Sequence, residues 1–120
     1  MKKITLLDYG MGNVQSLYNA IKFLGYEPEF FSETKKINTN TCFIPGVGAF
    51  NHAMQLLKKE NIVNQILEFS KSQNNTLIGI CLGMQILFEE STENTNTKGL
   101  DLIRGKVVKL SEQKKNRLPN

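Results

Sequence analysis

The 120-residue chain has little of several residue types on which particular functions depend. It contains two cysteines, one histidine and no tryptophan. Cys42 and Cys81 lie far apart, no CxxC motif occurs, and His52 is the single histidine, so the sequence offers no zinc site. We therefore expect no bound metal and two free thiols, which persist in a reducing compartment.

Long apolar runs are also missing. No stretch reaches the roughly 18 apolar residues that a transmembrane helix needs. The N-terminal sequence MKKITLLDYG loses its apolar character at Asp8, which leaves it shorter than the apolar core of about 7–15 residues in a signal peptide. We expect a cytoplasmic protein that does not associate with membranes.

The net charge of +4 raises the question of nucleic-acid binding. The lysines are spread over the whole chain, with a modest concentration in its last part (Lys106, Lys109, Lys114, Lys115 and Arg117). No aromatic side chains are interleaved there for stacking on bases. We therefore expect a solvated charged surface and no nucleic-acid partner.

Apolar periodicity predicts an alternation of strands and helices. The pattern indicates strands at 3–8, 27–31, 41–46, 76–80 and 105–110, and helices at 14–24, 49–59, 62–72 and 82–89. Asn13 and Gly25 suit the two ends of the first helix, and Pro28 favours an edge or the start of a strand. The sequence predicts an α/β fold: a single domain with a largely parallel sheet and helices on both faces.

Three predicted loops carry unusual residues at the carboxyl ends of strands, where ligands gather in such sheets. They are DYGMGN (8–13), PGVGAF (45–50) and GICLGMQ (79–85). The first loop lacks the GxGxxG spacing of a dinucleotide site, so we expect no such cofactor. The coincidence of three such loops predicts a functional site at this edge.

Cys81 stands between two glycines where a strand is predicted to become a helix. The spacing Gly79-x-Cys81-x-Gly83 is that of a nucleophile elbow. A helix N-terminus favours the thiolate, and the N–H of Leu82 would point to where an oxyanion forms. The alternative is a structural cysteine packed as a small apolar residue. The PGVG loop offers further N–H groups for an anion hole, or is an ordinary strand-to-helix turn.

Taken together, these loops resemble those of the class I, or triad, glutamine amidotransferases. The resemblance rests on DYGMGN, on IPGVGAF followed by a helix, on GICLGMQILFEES and on GLDLIRGKVVKL, which keep the family's order over nearly the whole chain. Within the family, the glutaminase subunits of imidazole glycerol phosphate synthase, a histidine-biosynthesis enzyme, are the most similar. The implied fold is flavodoxin-like.

The resemblance implies specific roles for residues that match the family's motifs. Cys81 would attack the side-chain amide of glutamine and form a thioester, with no cofactor. Backbone N–H groups of Val47 and Leu82 would hold the oxyanion. Gly48, Gln85 and Glu93 would bind the substrate glutamine, although Gln85 is otherwise an exposed helical residue and Glu93 a polar loop residue.

The resemblance also implies a partner. The family's glutaminase forms a heterodimer with a (β/α)8-barrel synthase and passes ammonia to it. Gly12, Asn13 and Gln15 would lie at that interface.

The sequence departs from the family in its catalytic base. The family carries a His-x-Glu motif near its C-terminus, and this chain has none, since His52 does not match that position. We therefore expect residues 1–120 to be the N-terminal portion of one amidotransferase domain, with the C-terminal part missing and little or no glutaminase activity alone.

Other functions stay open. Asn120 stands where the histidine-pathway proteins usually have histidine, and the first alternative is therefore a related subunit that supplies ammonia for a surface or flagellar sugar. A non-catalytic module that only docks on the synthase is a second alternative. A cysteine hydrolase acting on another amide is a third, against which Gln85 and Glu93 argue.

Overall fold

The structure, a computed structural model, describes residues 2–110. Five helices and seven strands occur within this range. In chain order they are β1 (Lys3–Leu6), α1 (Val14–Phe23), β2 (Glu27–Phe30), α2 (Phe31–Thr34), β3 (Thr41–Ile44), α3 (Phe50–Lys59), α4 (Ile62–Ser70), β4 (Thr76–Gly79), α5 (Leu82–Gln85), β5 (Phe88–Ser91), β6 (Thr97–Lys98) and β7 (Ile103–Val107).

The main sheet has four parallel strands in the order β2-β1-β3-β4. From β1 the chain passes through α1 to β2, which lies at one edge of the sheet. From β3 it passes through α3 and α4 to β4, which lies at the opposite edge. Because parallel crossovers are right-handed, these two movements put α1 on one face of the sheet and α3 with α4 on the other. The predicted α/β fold with a largely parallel sheet is confirmed.

The core lies between the sheet and α3 with α4. In β1 and just after it, the side chains from Ile4 to Leu7 are all buried, as expected of a central parallel strand. In α3 the buried residues recur at helical spacing on one face, and burying each large side chain contributes about 1.5–3 kcal/mol. They are Phe50, Ala53, Met54 and Leu57.

The first helix, Val14–Phe23, has nearly the predicted bounds, but its N-cap residue makes no capping bond. Gly25 follows its C-terminus with φ of 94°, and Pro28 lies in the edge strand β2, both as predicted. Asn13 occupies the N-cap position but makes no capping bond, and its side-chain amide nitrogen donates to the Ser16 hydroxyl at 3.3 Å. Leu24, the last residue of the predicted helix, is 69% exposed.

A short helix interrupts the predicted strand at 27–31. Phe31 begins α2 instead of ending β2. The Asp8 carboxylate accepts hydrogen bonds from the backbone N–H of Ser32, at 2.7 Å, and from its hydroxyl. These two bonds turn the chain out of the sheet directly after the strand.

The predicted helix at 82–89 is wrong beyond its first turn. The helix α5 ends at Gln85, and Phe88–Ser91 forms β5 of a second sheet with the order β6-β5-β7. The strand β5 pairs antiparallel with β6, which lies in the predicted loop, and parallel with β7. Backbone N–H groups of Gly99 and Leu100 bond to carbonyls of Glu89 and Ile86, so pairing with distant residues overrides the local helical pattern.

The helices within residues 2–110 are short. None of them is long and apolar enough to cross a bilayer. The basic residues Lys114, Lys115 and Arg117, and the departure at Asn120, lie outside the described residues.

Candidate active site

The loops after β1 and β3 meet at the point where the strand order reverses. Ligands bind at such switch points in open α/β sheets. Gly12 has φ of 101°, and a β-carbon placed on it would lie 3.2 Å from the α-carbon of Gly46. The two loops therefore touch through their backbones, and glycine at position 12 permits that approach.

Cys81 follows β4 at the same edge in a backbone conformation that only glycine adopts easily. Its φ is 56° and its ψ is −119°, and the residue is exposed. Such strain persists only where the surroundings impose it, and it clusters at functional sites.

The two flanking glycines explain how the turn is imposed. A β-carbon on Gly83 would lie 1.7 Å from the carbonyl oxygen of Ile44, and one on Gly79 would lie 2.6 Å from the carbonyl oxygen of Gly83. The chain after Cys81 thus crosses directly over β3 with no room for side chains. The tight strand-to-helix turn that the spacing predicts is present.

The helix after Cys81 is shorter than the prediction required. With four residues, α5 is a single turn, so few peptide dipoles are aligned behind the thiol. The backbone conformation and the exposure of Cys81 are the features that distinguish it.

A groove of about 360 Å³ lies beside the Cys81 side chain. It is mostly apolar, and its lining includes Cys81 together with Val47 and Asn13 from the other two loops. Ser16 and Leu17 also line it and were missed, although positions three and four after Asn13 in a helix share one face with it. The complete lining is Asn13, Ser16, Leu17, Pro45, Gly46, Val47, Ile80 and Cys81.

The predicted oxyanion donors are only partly free. The backbone N–H of Leu82 donates to the carbonyl oxygen of Gly46 at 3.2 Å. Val47, which follows Gly46 in the chain, projects into solvent with 67% of its surface exposed. The loop in this conformation therefore turns a carbonyl, not an N–H, toward the donor at Leu82.

The other predicted site residues are not part of the lining of this groove. Gln85 is half-buried at the end of α5, and Glu93 is an exposed loop residue whose N–H donates to the Ser91 hydroxyl at 3.2 Å. A β-carbon on Gly48 would lie 2.9 Å from the terminal methyl of Met11, so this residue packs on the first loop. Gln15 is exposed on α1. The substrate and interface roles of these residues stay predictions.

The second cysteine and the histidine take no part in the groove. Cys42 is fully buried in β3, and burial raises the pKa of its thiol to about 12. His52 is exposed on α3. Among residues 2–110, the groove has no histidine or carboxylate in its lining, and no three potential metal ligands cluster anywhere in that range.

A parallel α/β sheet with a strained cysteine after β4, facing a glycine-rich loop after β3, agrees with the class of protein that the motifs predicted. The chain belongs to the class I glutamine amidotransferase family, whose profile matches residues 5–120.

Two curated relatives show which members of the family the chain is similar to. The chain is 41% identical over 118 residues to "Imidazole glycerol phosphate synthase subunit HisH" of Caldanaerobacter subterraneus subsp. tengcongensis, covering 98% of this chain and 57% of the relative. It is 40% identical over 121 residues to the protein of the same name from Prochlorococcus marinus, covering 100% and 57%. The chain thus spans little more than half the length of these relatives.

Solved structures share the fold. A structure titled "Crystal structure of glutamine amidotransferase" superimposes with a TM-score of 0.71 at 18% identity, covering 88% of this chain and 55% of the other. A putative peptidase E protein from Listeria monocytogenes gives a TM-score of 0.68 at 20% identity, covering 85% and 63%. At these identities the likeness concerns the fold alone.

Proposed function

We propose that the chain is the Cys81-bearing part of a glutaminase that supplies ammonia to imidazole glycerol phosphate synthase in histidine biosynthesis. The observation that carries this proposal is the conformation of Cys81, an exposed thiol held at φ 56° beside the loop Pro45–Gly48. Family membership and relatives that bear the name of that synthase's subunit support it.

The proposed reaction begins at the sulfur of Cys81. Its thiolate attacks the carboxamide carbon of glutamine, a C–S bond forms, and the carbonyl electron pair moves to the oxygen. Collapse of this tetrahedral oxyanion breaks the C–N bond, and the nitrogen leaves as ammonia after it takes up a proton, which balances the proton that the thiol released to solvent on forming the thiolate. Water then hydrolyses the γ-glutamyl thioester to glutamate and restores the thiol.

Substrate and partner residues follow from the same proposal. Gly48, Gln85 and Glu93 would bind glutamine. Gly12, Asn13 and Gln15 would contact a (β/α)8-barrel synthase subunit in a heterodimer. The groove supports this arrangement, because its lining runs from Cys81 to Asn13 and is mostly apolar. A small neutral molecule such as ammonia can leave along such a path without being held by charged groups.

The chain of 120 residues should trap glutamine analogues without efficient turnover. Release of ammonia needs a general acid, and thioester hydrolysis needs a base, usually histidine. Within the described range neither is found in the groove lining. We therefore propose that residues 1–120 are part of one amidotransferase domain in the cytoplasm. By themselves they would form the thioester at Cys81 slowly and turn over glutamine poorly.

The test is intact mass after exposure to a diazo-ketone analogue of glutamine. We expect one adduct on the parent chain, none on Cys81→Ala, and an unchanged adduct on the control Cys42→Ala, whose thiol is buried. An adduct that persists without Cys81, or disappears with Cys42, would contradict the assignment. A parent chain that takes up no adduct would favour a module that docks without catalysis.

A further inference from the structure

The hydroxyl of Tyr9 is a buried polar group that no hydrogen bond explains. The residue is 8% exposed, and among residues 2–110 its oxygen has no hydrogen-bond partner. Buried hydroxyls are normally paired, and each unpaired one calls for a physical reason. Tyr9 lies in the first loop, outside the lining of the groove, and takes no part in the chemistry proposed for Cys81.

The position of this hydroxyl suggests the reason. Its oxygen lies 2.7 Å from the place that a β-carbon on Gly46 would take. It therefore lies beside the α-carbon of Gly46, whose carbonyl oxygen accepts the Leu82 N–H at 3.2 Å. Rotation about the bond between that α-carbon and its carbonyl carbon moves the oxygen while Tyr9 stays in place.

The Leu82 N–H cannot hold an oxyanion while it still donates to the Gly46 carbonyl. For the N–H to hold an oxyanion, the carbonyl has to leave it and would then lack a donor. A buried carbonyl without a donor is unfavourable, so this rearrangement needs a second donor close to Gly46.

We propose that Tyr9 is a positioning residue for the anion hole: its O–H donates to the Gly46 carbonyl when that carbonyl leaves Leu82, and the Leu82 N–H becomes free. The proposal rests on the glutaminase function and deepens it. Burial raises the pKa of Tyr9 to about 12, so the phenol keeps its proton and remains a donor at neutral pH. Tyr9 touches neither substrate nor thiol; it acts through the loop.

The test is amide hydrogen exchange at Leu82 in Tyr9→Phe, measured by NMR on the 120-residue chain. Exchange requires the Leu82 N–H to leave the Gly46 carbonyl, and the hydroxyl stabilises the conformation in which it has left. Removing the hydroxyl should therefore slow exchange at Leu82 by about three- to tenfold, the value of one ordinary hydrogen bond. The melting temperature should stay the same or rise, because the hydroxyl has no partner to lose within residues 2–110.

Tyr18→Phe is the matched control. Tyr18 stacks on Phe30 with ring centroids 5.0 Å apart, away from the groove, so its variant should leave exchange at Leu82 unchanged. Unchanged or faster exchange at Leu82 in Tyr9→Phe would overturn the proposal, as would a loss of thermal stability with faster exchange throughout, which indicates a packing role.

The two proposals fail in different ways. If no diazo-ketone adduct formed on Cys81, the glutaminase function would be contradicted. The measurement of exchange at Leu82 does not depend on that result. Conversely, an adduct on Cys81 with no effect of Tyr9→Phe on exchange would leave the glutaminase proposal standing and remove the role of Tyr9.

Discussion

The chain has one cysteine within β3 and another just after the adjacent strand β4, and the two thiols have opposite properties. Cys42 lies within β3, opposite Leu77 of β4, and is fully buried with a pKa raised to about 12. Cys81 follows the end of β4, is exposed, and has φ of 56°. The residue type is the same in both places. Its position along the strand decides whether it packs or is available to react.

The backbone explains the contrast. A residue within a central parallel strand has extended dihedral angles and is covered on both faces. A residue at the carboxyl end lies where the chain must leave the sheet, and here it leaves over β3 at a distance that only Gly83 allows. The exposure of one thiol and the burial of the other both follow from these placements.

The largest expected effect tests whether Gly83 imposes the turn. In Gly83→Ala the new β-carbon would lie 1.7 Å from the Ile44 carbonyl oxygen, so the turn has to shift. We expect a loss of at least about 3 kcal/mol in the free energy of unfolding, or no folded protein. Urea unfolding followed by circular dichroism measures it.

Gly25→Ala is the control for positive φ without a clash. Gly25 has φ of 94°, and no atom of residues 2–110 lies within 4 Å of the added carbon, so strain alone should lower stability by about 1–2 kcal/mol. Equal losses in the two variants would show that crowding at Gly83 has no special role.

The next effect tests the burial of Cys42 through pH. Its pKa is about 12 in the folded chain and 9.0 for the reference thiol, so above pH 9 the unfolded state loses its proton first. Stability is full below pH 9 and falls as the pH rises toward 12, by about 1.4 kcal/mol between pH 7 and pH 10. Urea unfolding at the two pH values measures this loss.

Cys42→Ala and Cys42→Ser both remove the titrating group, so each should lack this part of the loss. Tyr9, whose pKa is raised from 10.0 to about 12, adds a similar loss mainly above pH 10. A pH dependence that is the same in parent and variants would show that Cys42 is not held in its neutral form.

The smallest effect tests the strain at Cys81. Cys81→Gly removes the positive-φ penalty and should raise the free energy of unfolding by about 0.5–1 kcal/mol, after allowance for the extra entropy of glycine. Cys81→Ala keeps a β-carbon and therefore the strain, so it should match the parent. A Cys81→Gly variant less stable than Cys81→Ala would contradict a strained turn.

Local patterns in the sequence predicted what local forces determine. Apolar periodicity identified α3 and β1, and the glycines around Cys81 identified a turn whose geometry depends on them. Phe88–Ser91 was predicted as helix because it follows a helical start, yet its pairing with β7, more than ten residues away, decides its conformation. The bond between Leu82 and Gly46 joins two distant loops, and no spacing within either loop indicates it.

The positive φ of Cys81 also sets what the presence of a thiol at this position costs the fold. If stability were all that mattered, glycine would replace the cysteine, because glycine adopts this backbone without strain. A single substitution, Cys81→Gly, would thus stabilise the fold, and it would remove the thiol. The thiol is therefore held in this turn at a cost in stability, the trade-off common at active sites.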